Sequence, residues 1–293
     1  MRTTFRMMGI ADYITLTNAL FGTLSILFII LAVDDLRNPY QSGIRSEYLW
    51  AAQLCIIISM IGDVIDGPVA RKYSKHQLLG GSLDIMSDCL SFAVAPSLLI
   101  FVLFGRMGEA TPFWTLGLAI ACSWVIAAGM LRLARFEHDT GSSFPWFTGL
   151  SSPGNAIFLL SLSSFIWLQP SSGIGPGLTT WECDVCWGVG ENKPWGDFLI
   201  IPAMFFSGSM MISDRRLSKL KSGIPMWLSI VSLGSLLAGT ILQLRYSMGN
   251  IRMIEEAAGV GTMVFFGISF LLCVGYIVFG SSICPPLQND SSE

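Results

Sequence analysis

Long stretches of this chain carry no charge at all, and that limits its possible folds more than any other feature. Residues Ile14–Val33, Cys89–Gly105, Ala110–Leu131, Phe198–Ser213, Ser222–Leu244 and Ala257–Asn289 contain no Asp, Glu, Lys or Arg. A helix crosses a bilayer with about 20 apolar residues. Backbone polar groups in lipid must be paired within the segment, so helices are the expected solution. Thr140–Trp181 is also uncharged, but Pro145, Pro153 and Pro170 interrupt it, which leaves one expected span near Pro153–Gln169. Tyr48–Ala70 is a further span, apolar for most of its length and acidic at its end. The expected fold class is therefore all-α, a polytopic integral membrane protein with about eight transmembrane helices. Charged residues make up only 13% of the chain, against about 25% in soluble domains. A net charge of -3 gives no basic field for nucleic acid. The first apolar run is too long for a cleaved signal peptide, and no small-residue cleavage site follows it. Met1–Asp12, with Arg2 and Arg6, reads as either a surface helix or an unstructured start.

The basic residues suggest an orientation. With eight spans and the N-terminus inside, Arg2, Arg6, Arg71, Lys72, Lys75, Arg132, Arg135, Arg215, Arg216, Lys219 and Lys221 fall on the cytoplasmic side. Only Arg37, Arg45, Arg106, Lys193, Arg245 and Arg252 fall outside. An excess of Lys and Arg marks the cytoplasmic face, so both termini are expected there, in a multi-pass protein of the cell membrane. The 7 cysteines form no framework: Cys55, Cys89, Cys122 and Cys273 sit in apolar helices. Cys183 and Cys186 form a C-x-x-C pair without a second pair or a nearby His, which favours a local disulfide or free thiols over zinc. No internal repeat is visible, and residues 1–293 read as one membrane domain.

Against this apolar background stand Asp63, Asp66, Asp84 and Asp88, at the ends of two consecutive apolar helices. A charge inside a membrane helix costs about 2.5–3.5 kcal/mol on the insertion scale. Helical spacing puts Asp63, Asp66, Gly67 and Ala70 on one face, and Gly80, Asp84, Asp88 and Ser91 on one face of the next helix. The turn between them can reverse the chain and bring two carboxylate pairs together. Their mutual repulsion calls for cations, and oxygen-only ligands suit Mg2+ or Mn2+. Four carboxylates suit two divalent cations, which about 3.5–4 Å apart form a clamp for phosphoryl chemistry. Gly67 and Ala70 leave room for a bulky ligand, and Arg71 is placed to meet a phosphate with its planar fork. One carboxylate near the reacting phosphorus can take the proton of an attacking hydroxyl; Asp88, the last of the set, is the candidate. The same aspartates at helix ends could instead simply pair with Arg71, Lys72 and Lys75.

The pattern D-x-x-D-G-x-x-A-R-x8-G-x3-D-x3-D, filled here by Asp63, Asp66, Gly67, Ala70, Arg71, Gly80, Asp84 and Asp88, resembles the signature of the CDP-alcohol phosphotransferases. The resemblance implies a six-helix catalytic core, two divalent ions held by the four aspartates, and CMP as leaving group. It implies that Gly67 and Arg71 hold the CDP moiety of a CDP-activated lipid and that Asp88 is the general base. Relatives often carry Ser or Thr three residues before the second motif glycine, where this chain has Gln77.

Further segments resemble the phosphatidylserine synthases within that family: ADYITLTNALFG from Ala11, LRLARFE at Leu131–Glu137, FTGLSSPGN at Phe147–Asn155 and, more loosely, Ser209–Lys221. With the signature they cover residues from about 11 to 221, the expected catalytic core. Residues from about 222 to 293 add two helices and a short tail that no motif constrains. The implied reaction moves a phosphatidyl-type group from a CDP-activated lipid to L-serine. Glycerol phosphate or inositol phosphate is the alternative acceptor, and an ion-coupled transporter the alternative class. Arg132 and Arg135, three apart at a helix end, are candidates for a lipid phosphate or the serine carboxylate, or for membrane anchoring. Asn155 is a polar contact or a cap. Asn18 is a nucleotide contact or a helix–helix hydrogen bond. Relatives are often dimers, so a homodimer is a possible assembly.

Overall fold

A computed structural model describes residues 9–33, 46–73, 80–105, 112–139, 146–167, 199–218, 223–248 and 255–281. In chain order these hold α1 (Ile10–Ala32), α2 (Ser46–Tyr73), α3 (Gly80–Gly105), α4 (Pro112–Asp139), β1 (Trp146–Thr148), α5 (Ser152–Trp167), α6 (Ile200–Ile212), β2 (Arg216–Ser218), α7 (Gly223–Ser247) and α8 (Glu255–Phe279). Among the described residues, six helices are long and apolar enough to cross a membrane: α1 to α4, α7 and α8. Two shorter apolar helices, α5 and α6, stand at the places where two more spans were expected. The chain is thus an all-α, multi-pass membrane protein. Gln77, His76, Cys183, Cys186 and residues 1–8 lie outside the described residues.

The helices pack through small residues and hydroxyls, as bundles in lipid do, because lipid tails supply no hydrophobic drive for one helix to meet another. Their outward faces stay apolar, with Leu20, Phe113, Trp227 and Leu271 among the exposed side chains. α1 and α2 run antiparallel: Phe28 stacks on Tyr48 at one end, and Asn18 meets Asp66 at the other. α3 lies beside α1 in the same direction. Ser87 Oγ donates to Thr15 O at 3.2 Å, and Ser91 Oγ to Asn18 O at 3.3 Å. α4 returns along α3, with Trp114 Nε1 donating to Phe104 O and Cys122 Sγ to Ser97 O. α7 and α8 form an antiparallel pair joined by Ser232 Oγ to Ser269 O (3.2 Å) and Ser235 Oγ to Phe265 O (2.7 Å). That pair joins the core through Gln53 of α2. Gln53 Nε2 donates to Thr240 Oγ1 and Gln53 Oε1 accepts from Ser164 Oγ, both at 2.9 Å, so α2, α5 and α7 meet in one satisfied polar knot.

α3 is not a uniform helix. It is α-helical over Gly80–Asp88, π-helical over Cys89–Val94 and α-helical again over Ala95–Gly105. The Ala95 N–H reaches back five residues to Leu90 O, which marks the wider turn. That turn begins directly after Asp88.

At the end of the bundle near Asp88, β1 pairs antiparallel with β2, Phe147 opposite Leu217. This ribbon ties the entry to α5 to the exit from α6. Gly149 follows β1 with φ +73, a left-handed conformation that side chains adopt only at a cost. Its N–H donates to Arg215 O at 2.8 Å. A Cβ there would press on Met211 O and lie 3.0 Å from Ser213 O, both backbone atoms with nowhere to go. Gly149→Ala is therefore expected to lose about 2–4 kcal/mol of stability, read as a lowered thermal midpoint of the purified chain.

Candidate active site

Asp63 and Asp66 lie near the end of α2, and Asp84 and Asp88 near the start of α3. Because these helices run in opposite directions, both carboxylate pairs reach the same level of the bundle. One oxygen from each of Asp63, Asp66 and Asp84 lies within 4.8 Å of the others. Asp88 stands beside this trio, close enough to feel the charge of Asp63, Asp84 and Asp66. The four side chains that the spacing assigned to one centre are thus gathered there, three in a tight cluster and the fourth next to it.

Elements of α1 hold the cluster in place. Thr15 Oγ1 donates to Asp66 Oδ2 at 3.2 Å, and Asn18 Nδ2 approaches the same oxygen at 3.4 Å. Asp66 is only 7% exposed. Asn18, weighed above as a nucleotide contact or a helix–helix bond, here makes the second. Its backbone carbonyl accepts from both Ser59 Oγ and Ser91 Oγ, so α1 is pinned between α2 and α3 at this residue. The close approach depends on glycine: a Cβ on Gly62 would overlap the Asn18 amide, and one on Gly22 would overlap Ser91 Oγ. Ser91 was expected on the face of Asp84 and Asp88. It lies within the π turn that follows Asp88 and donates to the Asn18 carbonyl, on the residue whose amide approaches Asp66.

Arg132 on α4 supplies a positive charge. It feels Asp88, Tyr276 and Asp63, and its Nη1 donates to Ser152 Oγ at 3.0 Å. Its Nε is buried with no hydrogen-bond partner among the described residues. Arg135 does not join it. Its Nη2 pairs with Asp214 Oδ1 at 2.7 Å, on a surface where the two side chains are 43% and 85% exposed. Two arginines three apart diverge because one meets the buried start of α5 and the other the turn after α6. Asn155 lies one turn beyond Ser152 on α5. It is fully buried, and both its amide oxygen and nitrogen lack a hydrogen-bond partner among the described residues. It caps nothing; such a buried amide is costly unless something fills its place. Gly80 opens α3. Gly67, Ala70 and Arg71 continue the helical backbone of α2, and their side chains lie outside the described residues, as does all of Gln77.

The donor set fits a divalent cation. It is made of carboxylate oxygens alone, the chemistry that Mg2+ and Mn2+ prefer. Among the described residues Arg132 is the cation facing these four carboxylates, and three of them lie so close together that all stay ionised only with further positive charge among them. Three neighbours of this site were not picked out from the sequence: Thr15, Ser152 and Tyr276. Thr15 had a usable signal, since it lies three residues before Asn18 on the same face of α1. Tyr276 had none, because its contact depends on how α8 docks.

A family model described as CDP-alcohol phosphatidyltransferase matches residues 8–184, more than half of the chain. The chain is 32% identical over 167 residues to a CDP-diacylglycerol–serine O-phosphatidyltransferase of Saccharomyces cerevisiae, covering 54% of each chain. It is 31% identical over 159 residues to an archaetidylserine synthase of Methanothermobacter thermautotrophicus, covering 54% of this chain and 57% of that one. It is 35% identical over 113 residues to a CDP-diacylglycerol–serine O-phosphatidyltransferase of Bacillus subtilis, covering 39% of this chain and 60% of that one. The matches span little more than half the length of these relatives.

Proposed function

The chain belongs to the CDP-alcohol phosphatidyltransferase family, and we propose that it transfers the phosphatidyl-type group of a CDP-activated lipid to the hydroxyl of L-serine, releasing CMP. The observation that carries this reading is the convergence of Asp63, Asp66, Asp84 and Asp88 at one end of the bundle, with Arg132 facing them. Serine as acceptor is supported by the names of the relatives and by the segments that Arg132 and Asn155 occupy.

Asp63, Asp66, Asp84 and Asp88 would hold two divalent cations, Mg2+ or Mn2+. Such ions would supply charge neutralisation for the diphosphate and for the departing phosphate. Asp88 takes the proton of the serine hydroxyl. The serine oxygen then forms a bond to the lipid-bearing phosphorus, and the bond from that phosphorus to CMP breaks with its electron pair leaving on CMP. Thr15 and Asn18 orient Asp66. Arg132, with a free Nε–H, binds the acceptor carboxylate or the lipid phosphate, and the amide of Asn155 serves the same pocket. The active site faces the cytoplasm, as the distribution of Lys and Arg favours.

The test uses the full chain in lipid nanodiscs with CDP-diacylglycerol or CDP-archaeol. CMP release is expected to require L-serine and a divalent ion, to stop on chelation and to return with Mg2+ or Mn2+. Mass spectrometry of the product lipid identifies the headgroup and the tails. Equal release with glycerol phosphate or inositol phosphate would reassign the acceptor. No release with any acceptor, beside solute uptake in proteoliposomes, would make the chain a transporter. Arg132→Lys loses the planar fork, and about tenfold is expected on the KM for serine, the worth of one hydrogen bond to a charged group. Arg135→Lys leaves that KM unchanged.

A further inference from the structure

Asp88 is held through its neighbours in the chain. Ser87 Oγ donates to Thr15 O at 3.2 Å, and Ser91 Oγ to Asn18 O at 3.3 Å. Both serines are buried, Ser87 at 3% exposed and Ser91 at 0%. Asp88 therefore stands between two bonds to α1, directly after the first and less than a turn before the second. The bonds lie about one turn apart on each helix. Together they fix the level of α3 along α1 and its rotation against it, where a single bond would leave α3 free to pivot.

The acceptors of these bonds matter as much as the donors. Thr15 and Asn18 are also the residues of α1 whose side chains reach Asp66, through Thr15 Oγ1 at 3.2 Å and Asn18 Nδ2 at 3.4 Å. Their backbone carbonyls hold the turn that carries Asp88, while their side chains hold a carboxylate of α2. The π turn beyond Asp88 is gripped on two further sides. A Cβ on Gly22 of α1 would overlap Ser91 Oγ, and a Cβ on Gly129 of α4 would lie 2.8 Å from Ala93 Cβ. Gly129 stands one turn before Arg132. Hydroxyl bonds between membrane helices are common as general glue. Glue has no reason to fall on both sides of one carboxylate and on the same two residues that hold another.

We propose that Ser87 and Ser91 are positioning residues: their bonds to the Thr15 and Asn18 carbonyls make α1 the template that sets Asp88 of α3 against Asp66 of α2. The proposal rests on the reading of Asp88 as ion ligand and base given above. Both hydroxyls are spent on α1, so their effect on the reaction passes through the backbone of one helical turn. A general base must meet the proton it takes within hydrogen-bond reach. Misplacement by about 1 Å can cost about 10²-fold in rate.

The test makes Ser87→Ala and Ser91→Ala together, once in the otherwise unchanged chain and once in the Asp88→Asn chain, all in nanodiscs. Serine-dependent CMP release is measured beside Mn2+ affinity, the latter from the electron paramagnetic resonance signal of the free ion. With Asp88 present, loss of the two hydroxyls is expected to lower kcat by up to about 10²-fold and to leave the KM for serine unchanged. Mn2+ binding is expected to weaken about 10–100-fold, as it does when the support of a ligand is lost. In the Asp88→Asn chain the same pair of substitutions is expected to change neither quantity further, because residues that act through one group do not add. Ser97→Ala is the control. It removes a buried hydroxyl from the same helix, but one whose bond, to Ala93 O at 2.7 Å, stays within α3, and it alters neither quantity. Losses of equal size with and without Asp88 overturn the proposal, because the serines then only hold the bundle together. A lowered thermal midpoint with kcat and Mn2+ affinity intact overturns it too. No CMP release by the unsubstituted chain with any acceptor sinks the transfer reading, and the Mn2+ affinities of the same chains still decide the positioning role. CMP release that the double substitution leaves undiminished sinks the positioning role and leaves the transfer reading standing.

Discussion

Asp88→Asn is expected to lower serine-dependent CMP release by about 10²–10⁴-fold, the range found when a general base is removed. The substitution keeps the size and shape of the side chain, so packing beside the π turn at Cys89–Val94 is undisturbed. It removes the proton acceptor and one negative charge. Asp84→Asn sharpens the comparison, because Asp84 belongs to the tight trio and Asp88 stands next to it. Loss at Asp84 should appear first as a higher divalent-ion requirement, partly relieved by excess Mg2+ or Mn2+. Loss at Asp88 should persist at saturating ion. Asp214→Asn serves as the control: it breaks the exposed pair with Arg135, worth about 0–1 kcal/mol, and leaves turnover alone. Near-normal turnover in Asp88→Asn at saturating ion would remove it as the base.

The second large effect is expected at a residue with no side chain. Gly62→Ala places a methyl group on the Asn18 amide. Asn18 cannot swing away freely, since it is buried and its carbonyl is held by Ser59 and Ser91. Either α1 parts from α2, at about 1–3 kcal/mol for overpacking, or the amide leaves Asp66. The second outcome costs about 10–100-fold in ion affinity or activity, as loss of a residue supporting a ligand does. The double variant Asn18→Ala with Gly62→Ala removes the clash. It should recover thermal stability relative to Gly62→Ala without recovering activity. Contacting residues are expected to couple in this way, and strictly additive losses would show that the two do not meet.

How much of this was legible from the residues alone follows from the range of each interaction. The carboxylate centre was readable because its geometry is local twice over. Asp63 and Asp66 share a face by helical spacing, as do Asp84 and Asp88, and a short turn brings the two helices together. The π turn was not readable: nothing in CLSFAV announces a wider turn. The pair Arg132 and Arg135 looked equivalent because spacing gives a face and not a partner. Their partners, Ser152 and Asp214, come from segments brought near by the β1–β2 ribbon, whose strands are only three residues long. α5 and α6 read as full spans from their apolar runs, and their described helices are shorter than the six long ones. The docking of α7 and α8 was hidden as well. α7 meets the core through Gln53–Thr240 and α8 through Trp50–Phe266 and Phe158–Phe270, contacts that leave no periodic mark beyond ordinary apolar helix.

The bond from Arg132 to Ser152 has a consequence for synthesis on the ribosome. The carboxylates are made early, on α2 and α3, and can meet as soon as those helices enter the bilayer. Ser152 arrives later, at the start of α5. Until α5 follows, a nascent chain holds its acidic centre without the hydroxyl that anchors Arg132. The acidic half of the site is thus made before the residue that steadies its basic half.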